Sequence, residues 1–155
     1  MAKERSKSTL SSNSTRAGVW AIIQCADTGK ILLGKRAPKV NNGGAWNFFG
    51  GRIDQGESPR NALARELAEE AGLRVKTRKL IKLGRVSGER GPLDREMHYY
   101  LLRVERELAP RLNNEHSGYR WFSPTELPGV FNRPTRLAIR HGLLHRAARG
   151  DSRRR

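Results

Sequence analysis

Three glutamates, Glu66, Glu69 and Glu70, are spaced so that one face of a helix would carry all three carboxylates. Residues three and four apart lie side by side on a helix, and like charges at that spacing repel each other. No Lys or Arg follows Glu66 or Glu69 by four residues, so ordinary ion pairing along the helix explains the cluster poorly. A solvated acidic face is the alternative. In a chain of net charge +16 we favour a bound divalent cation such as Mg²⁺, which prefers carboxylate oxygens.

The segment that carries these glutamates has the start and stop signals of a helix over residues 58–71. Ser58 is of a type that caps helix N-termini, and Pro59 suits the first turn, where its missing N–H is not needed. Gly72 can take the left-handed conformation that ends many helices. At 3.6 residues per turn the apolar side chains fall on a separate arc that would face the core, namely Leu63, Ala64, Leu67, Ala68 and Ala71.

Two features beside the predicted helix could support a metal site. The pair Gly50-Gly51 has no side chains, so its backbone could lie against a ligand or a metal. Glu57 could form an ion pair with Arg65 and brace the loop against the helix, or it could join the acidic cluster. The sequence leaves both roles of Glu57 open.

Residues 51–73, GRIDQGESPRNALARELAEEAGL, resemble the Nudix box, G-x5-E-x7-R-E-U-x-E-E-x-G-U with U an aliphatic residue. Every specified position matches, and the matching residues are Gly51, Glu57, Arg65, Glu66, Leu67, Glu69, Glu70, Gly72 and Leu73. The order of predicted elements is also similar to that of the family, so the resemblance spans about residues 17–145. One departure lies outside the box, since Phe49 stands where many members have proline before the glycine pair.

The resemblance implies an α/β fold, a Nudix-type α/β/α sandwich around a mixed β-sheet, and hydrolysis of nucleoside diphosphates linked to another group. It implies Mg²⁺ or Mn²⁺ as the cofactor, held by the carbonyl of Gly51 and the carboxylates of Glu66, Glu69 and Glu70. Glu66 would be a ligand or the general base, since members of the family differ. The catalytic residues would be Glu66, Glu70 and Arg65, and Glu57 would orient the loop.

Three residues outside the box are further candidates. Glu115 precedes a predicted strand, where several Nudix proteins have a metal-binding or basic carboxylate, and a plain exposed loop residue is the alternative. Arg36 ends a predicted strand at a position where many members have Arg, and it could contact a substrate phosphate or be a solvated strand end. His116 is expected to be a surface or supporting residue rather than a catalyst.

The elements that must position these residues lie between two basic tails. We expect residues 1–16 to be a disordered tail, residues 17–145 to form the Nudix hydrolase domain, and residues 146–155 to be a second tail. Strands are predicted at residues 17–26, 31–36, 46–51, 73–75, 80–86, 97–105 and 119–122. A short helix would start at Ser123-Pro124, and a basic helix would span residues 136–148. Strands and helices follow one another without strict alternation, and this order favours a mixed sheet covered by helices.

The composition narrows the classes of protein. Of 155 residues, 31 are Lys or Arg and 15 are Asp or Glu, an excess of positive charge that attracts polyanions. Four bases and one acid give residues 1–16 a charge of +3, and five bases and one acid give residues 146–155 a charge of +4, under half of the +16. We expect no membrane segment and no secretory signal, since long apolar runs are missing. Cys25 is the single cysteine, and we expect a cytoplasmic location.

The leading function is metal-dependent hydrolysis of the pyrophosphate linkage in a (deoxy)nucleoside triphosphate or similar small nucleotide. The alternative substrate is the 5′ end of RNA, from which pyrophosphate would be removed while the basic tails hold the RNA backbone. An alternative of another class is a catalytically inactive module that binds nucleotides or nucleic acid. The presence of every box glutamate argues against that module. A homodimer is compatible with the sequence, which fixes no interface.

Overall fold

The computed structural model describes residues 17–87 and 96–149. The strands in this part of the chain are β1 (Ala17–Cys25), β2 (Ile31–Arg36), β3 (Trp46–Asn47), β4 (Phe49–Arg52), β5 (Ile81–Val86), β6 (Glu96–Val104) and β7 (His116–Phe122). The helices are α1 (Pro59–Ala71), α2 (Arg133–Arg140) and α3 (Leu143–Ala148), with a 3₁₀ turn at Thr77–Lys79. Among these described residues no helix is long and apolar enough to cross a membrane.

The seven strands form one mixed sheet with β1 near its centre. Strand β6 runs parallel to β1 along the whole length of both strands. On the other side of β1, β4 pairs antiparallel with its first half, whereas β2 pairs with it only at Gln24 and Ile31. Strand β2 then pairs with β3 and β7. The separation of β2 from β4 leaves room for a cleft at this edge of β1.

Strand β1 is apolar on both faces because helices cover both sides of the sheet. Val19, Ala21 and Ile23 pack with the apolar face of α1, and Trp20 and Ile22 pack with α2 and α3. A strand buried on both faces reads as a continuous apolar run rather than an alternating one. The layers therefore form an α/β/α sandwich around a mixed sheet, as predicted.

The predicted basic helix over residues 136–148 is two helices, and it begins earlier than predicted. Helix α2 starts after Asn132, whose Oδ1 accepts the N–H of Thr135 at 3.2 Å. Gly142, at φ 76°, separates α2 from α3. Because α3 continues to Ala148, residues 146–148 belong to this helix although they were expected in the tail.

Other local predictions differ from the structure. Ser123-Pro124 begins a turn and not a helix, since the chain meets Pro128 before a second helical turn can form. Residues 73–75 form no strand and lead into the 3₁₀ turn. The predicted strand over residues 46–51 is interrupted at Phe48, whose N–H donates to Thr135 Oγ1 at 3.0 Å instead of to the sheet. The other tail segments, residues 1–16 and 150–155, lie outside the described residues.

Candidate active site

Helix α1 carries the glutamates and is bounded by the caps that the sequence predicts. Ser58 Oγ accepts the N–H of Asn61 at 3.1 Å, and Gly72, at φ 67°, ends the helix. The buried apolar residues of its inner face are Ala62, Leu63, Leu67 and Ala71. This packing sets the rotation of α1 on the sheet, and it brings Glu66 and Glu70 against β4.

Glu70 is buried against the glycine pair of β4. The residue is 4% exposed, and its Oε1 accepts the N–H of Gly50 at 3.0 Å. Burial raises the pKa of Glu70 to about 9, and the charges of Glu66 and Glu115 act in the same direction against the opposing Gly50 N–H. Without a bound cation, the Glu70 carboxylate is therefore costly to ionise.

Glu66 lies directly against Gly51. A Cβ at Gly51 would lie 2.7–2.9 Å from the carboxylate atoms of Glu66, so a side chain at this position would displace that carboxylate. Arg65 Nη1 donates to Glu66 Oε2 at 3.1 Å. Burial nevertheless raises the pKa of Glu66; Arg65 opposes this shift, and the nearby charges of Glu69 and Glu115 add to it.

Arg65 ties the loop before α1 to the helix. Its Nε and Nη2 donate to the two carboxylate oxygens of Glu57 at 2.8 and 2.9 Å, and Nη2 also donates to the carbonyl of Arg52 at 3.1 Å. The hydrogen bonds from Arg65 lower the pKa of Glu57, and the same contact raises the pKa of Arg65. Glu57 thus forms the ion pair with Arg65 that one of its two predicted roles requires, and it does not line the cleft with Glu66 and Glu70.

Glu69 is separated from the other two helix glutamates. Its side chain is 56% exposed, with Oε1 3.6 Å from Arg65 Nη1. The cleft that contains Glu66 and Glu70 is not lined by Glu69. Helical spacing predicts three carboxylates side by side, whereas the structure brings two of them into one cleft.

The cleft beside the carboxylate pair has a volume of about 380 Å³. Among the predicted site residues, those that line it are Arg36, Gly51, Glu66, Glu70 and Glu115. Sequence reasoning missed the lining residues Trp20, Asn41, Asn42, Arg52, Asn132 and Pro134. These come from β1, the β2–β3 loop, β4 and the start of α2. The only local signal among them is the Asn42-Gly43 dipeptide, which marks a turn.

His116 is a buried supporting residue. It is 4% exposed, with Nε2 3.2 Å from Asn47 Oδ1 and its ring 4.8 Å from that of Phe49. Burial and the nearby Arg36 lower the pKa of His116 to about 4, so the ring is neutral at pH 7. It connects the start of β7 to Asn47 of β3 and Phe49 of β4.

The chemical types of the cleft residues fit a hard divalent cation, although their side chains are not already arranged around one. In the described part of the chain no three acidic, His or Cys side chains already lie close enough together to hold one ion. The oxygen donors at hand are carboxylates and a glycine carbonyl, the types that Mg²⁺ takes while it keeps several waters. The raised pKa of Glu70 also calls for a cation, since a positive charge would offset its burial.

The comparison with protein families decides the classification. The model of the NUDIX domain matches residues 14–146. This chain belongs to the Nudix family. The predicted family, fold class and enzyme class are confirmed, and Nudix hydrolases generally use divalent metal ions.

Individual Nudix relatives support the assignment. A CTP pyrophosphohydrolase from Escherichia coli is 34% identical over 98 residues, 63% of this chain and 70% of that protein. An RNA pyrophosphohydrolase from Vibrio cholerae is 31% identical over 120 residues, 66% of this chain and 67% of that protein. A MutT Nudix hydrolase from Burkholderia pseudomallei aligns structurally with a TM-score of 0.62 at 26% identity, over 81% of this chain and 95% of that one. The predicted activity, metal-dependent hydrolysis of a pyrophosphate linkage in a nucleotide-like substrate, agrees with these relatives.

Proposed function

We propose that this protein hydrolyses a (deoxy)nucleoside triphosphate or a similar small nucleotide, with Mg²⁺ or Mn²⁺ as its cofactor. The observation that carries the proposal is the pair of largely buried carboxyl groups, Glu66 and Glu70, which lie against the glycines of β4 in a cleft that Arg36 and Arg52 also line. Carboxylates suit a metal, and guanidinium groups suit phosphate oxygens. The relation to a CTP pyrophosphohydrolase favours a free nucleotide.

We assign the metal to Glu70, Glu66 and the carbonyl of Gly51, with Glu115 as a further ligand. Glu69 stays a proposed ligand, and it would have to leave Arg65 and turn toward the cleft. When bound, a divalent metal neutralises phosphate oxygens, positions water and lowers the pKa of that water.

The other side chains would prepare the site. Arg65 and Glu57 hold the loop so that Gly51 stays beside Glu66. Glu66, as an alternative to ligation, could accept a proton from the attacking water if it lies within hydrogen-bond reach. Arg36 could bind a phosphate of the substrate through its guanidinium group.

The second candidate function is removal of pyrophosphate from RNA 5′ ends. The relation to an RNA pyrophosphohydrolase favours it, and so does the net charge of +16, which would bind an RNA backbone without sequence preference. An inactive binding module is the third candidate. Cytoplasmic location and a homodimer remain predictions.

A substrate panel tests these candidates. Purified protein is incubated with nucleoside triphosphates, deoxynucleoside triphosphates and 5′-triphosphorylated RNA, with Mg²⁺, with Mn²⁺ or with EDTA, and the products are identified. We expect metal-dependent hydrolysis that is fastest for a free nucleotide. Faster hydrolysis of the RNA at low salt would favour the second candidate, and tight nucleotide binding without any product would favour the third.

A further inference from the structure

Arg36 contacts two parts of the cleft at once. Its Nε donates to the carbonyl of Asn41 at 3.0 Å, and its Nη1 lies 3.8 Å from Oε1 of Glu115. The Arg36 side chain is only 18% exposed, whereas that of Glu115 is 47% exposed. Arg36 therefore joins the β2–β3 loop to the carboxylate at the start of β7.

Glu115 also faces the carboxylate pair of α1. It lines the same cleft as Glu66 and Glu70, so its carboxylate is close to both of theirs. Its backbone carbonyl accepts the N–H of Ala37 at 2.8 Å, which fixes the main chain while the side chain can turn. Among the described residues, Glu115 therefore forms its ion pair with Arg36, and two further carboxyl groups, those of Glu66 and Glu70, line the same cleft.

We propose that Arg36 is a positioning residue, the built-in counter-ion of Glu115, and that a divalent cation competes with Arg36 for that carboxylate. This proposal rests on the proposed function: the incoming polyphosphate would bind the guanidinium group of Arg36, and Glu115 would then be free to bind the metal. Arg36 would exchange a carboxylate for a phosphate, and Glu115 would exchange a guanidinium group for a metal ion. The Arg36–Asn41 hydrogen bond would stay in place. A guanidinium group can serve both anions because its five N–H donors form a rigid fork.

This proposal makes an unusual prediction for metal binding without any nucleotide. Arg36→Gln removes the competing cation, so Mn²⁺ should bind more tightly, by about two- to fivefold, the strength of a partly exposed ion pair. The same variant should lose kcat/KM, since the substrate phosphate loses its cation. A residue that only binds phosphate would lower kcat/KM and would change metal affinity only by the general effect of losing one positive charge.

The experiment is a Mn²⁺ titration by calorimetry of the full chain, without nucleotide, with circular dichroism to check that each variant is folded. The variants are Arg36→Gln, Glu115→Gln, the double variant and Arg52→Gln. Arg52 is the matched control, because it lines the same cleft and forms no ion pair within the described residues. It reports the general effect of one fewer positive charge.

We expect tighter binding in Arg36→Gln than in Arg52→Gln, weaker binding in Glu115→Gln, and no gain from Arg36→Gln once Glu115 is replaced. An affinity in Arg36→Gln that is no tighter than in Arg52→Gln, or the same gain in the Glu115→Gln background, would overturn the proposal. If Arg36→Gln does not fold, Arg36→Lys replaces it. Lysine keeps the positive charge but lacks the planar fork of arginine, so it should give a smaller gain that also depends on Glu115. Because no turnover is measured, failure of the substrate panel and failure of this titration are separate results.

Discussion

Glu66 and Glu70 have different surroundings although both lie in the cleft. Glu66 accepts a hydrogen bond from Arg65, whereas the hydrogen bond that Glu70 accepts comes from the neutral backbone N–H of Gly50. Burial raises the pKa of both residues, but only Glu66 has a cation in direct contact. Glu70 is thus the carboxylate that gains most from a bound metal.

The first prediction concerns stability without metal. The folded pKa of Glu70, about 9, lies above its ordinary value, so its contribution to stability is full at acid pH and is lost as pH rises toward 9. Glu70→Gln keeps an oxygen for the Gly50 N–H and carries no charge. In EDTA at pH 8 we expect this variant to melt higher than the wild type, by on the order of 5 °C.

Thermal unfolding at several pH values checks this prediction. Between pH 6 and pH 9, in EDTA, the melting temperature should fall more for the wild type than for Glu70→Gln. Glu69→Gln is the matched control on the same helix, and it should follow the wild type because its side chain is largely exposed. A Glu70→Gln variant with the wild-type pH dependence would contradict the burial argument.

The sequence motif identifies the candidate site residues, but it does not predict which of their side chains lie close together in the folded chain. Helical spacing places Glu66, Glu69 and Glu70 on neighbouring positions, yet it does not determine rotamers, and Arg65 contacts Glu69 outside the cleft. The pairing of Arg36 with Glu115 joins residues 79 positions apart, so no local pattern could have predicted it. Asn132 and Trp20 reach the cleft for the same reason, through the packing of distant elements.

At the scale of elements, β4 combines two glycines with different tasks. A Cβ at Gly50 would overlap the carbonyl oxygen of Val19 in the neighbouring strand, whereas the three atoms nearest to a Cβ at Gly51 all belong to the carboxylate of Glu66. Backbone cannot move without breaking the β1–β4 pairing, but a side-chain end can swing aside. Gly50 is therefore required for the pairing of β4 with β1, whereas Gly51 is required for the position of the Glu66 carboxylate.

The second prediction follows from that difference. Gly50→Ala should lower the free energy of unfolding by about 1–3 kcal/mol, the usual cost of forcing atoms into a packed region. Gly51→Ala should stay within about 1 kcal/mol of the wild type and lose at least about tenfold in kcat, because it misplaces Glu66. Denaturant unfolding and steady-state kinetics measure the two effects. A Gly51→Ala variant with full activity would show that the position of Glu66 does not matter.

Element prediction succeeded where the signals were local. The caps of α1 and the apolar run of β1 follow from residue types within a few positions. The split between α2 and α3 was missed because an isolated glycine is tolerated inside many helices, and only the observed φ of Gly142 marks the break. Phe48 interrupts the strand because its N–H donates to Thr135. These residues are 87 positions apart, so no local pattern in the sequence predicts the contact.

At the scale of the molecule, a chain with a net charge of +16 has a candidate site that contains the carboxylates of Glu66, Glu70 and Glu115. Basic surfaces raise the local concentration of anions and speed their encounter, and salt screens that attraction. The charge therefore supports capture of polyphosphates in general and does not require nucleic acid.

The third prediction is the salt dependence of this capture. Between about 20 mM and 500 mM KCl, kcat/KM for a nucleoside triphosphate should fall by about tenfold, while kcat changes little, because screening acts on encounter. Steady-state kinetics at fixed free Mg²⁺ measures both constants. A kcat/KM that is independent of salt would mean that the basic surface serves some purpose other than substrate capture.

The most direct test of the central claim is turnover by Glu70→Gln on the best substrate of the panel. The claim is that a metal held by the Glu66–Glu70 pair is required for hydrolysis of the pyrophosphate linkage. Product formation is measured for the wild type and the variant across Mg²⁺ concentrations, with circular dichroism as the check on folding. We predict a folded variant with turnover reduced by at least about a thousandfold at every Mg²⁺ concentration. Turnover at the wild-type level in the folded variant would contradict the account.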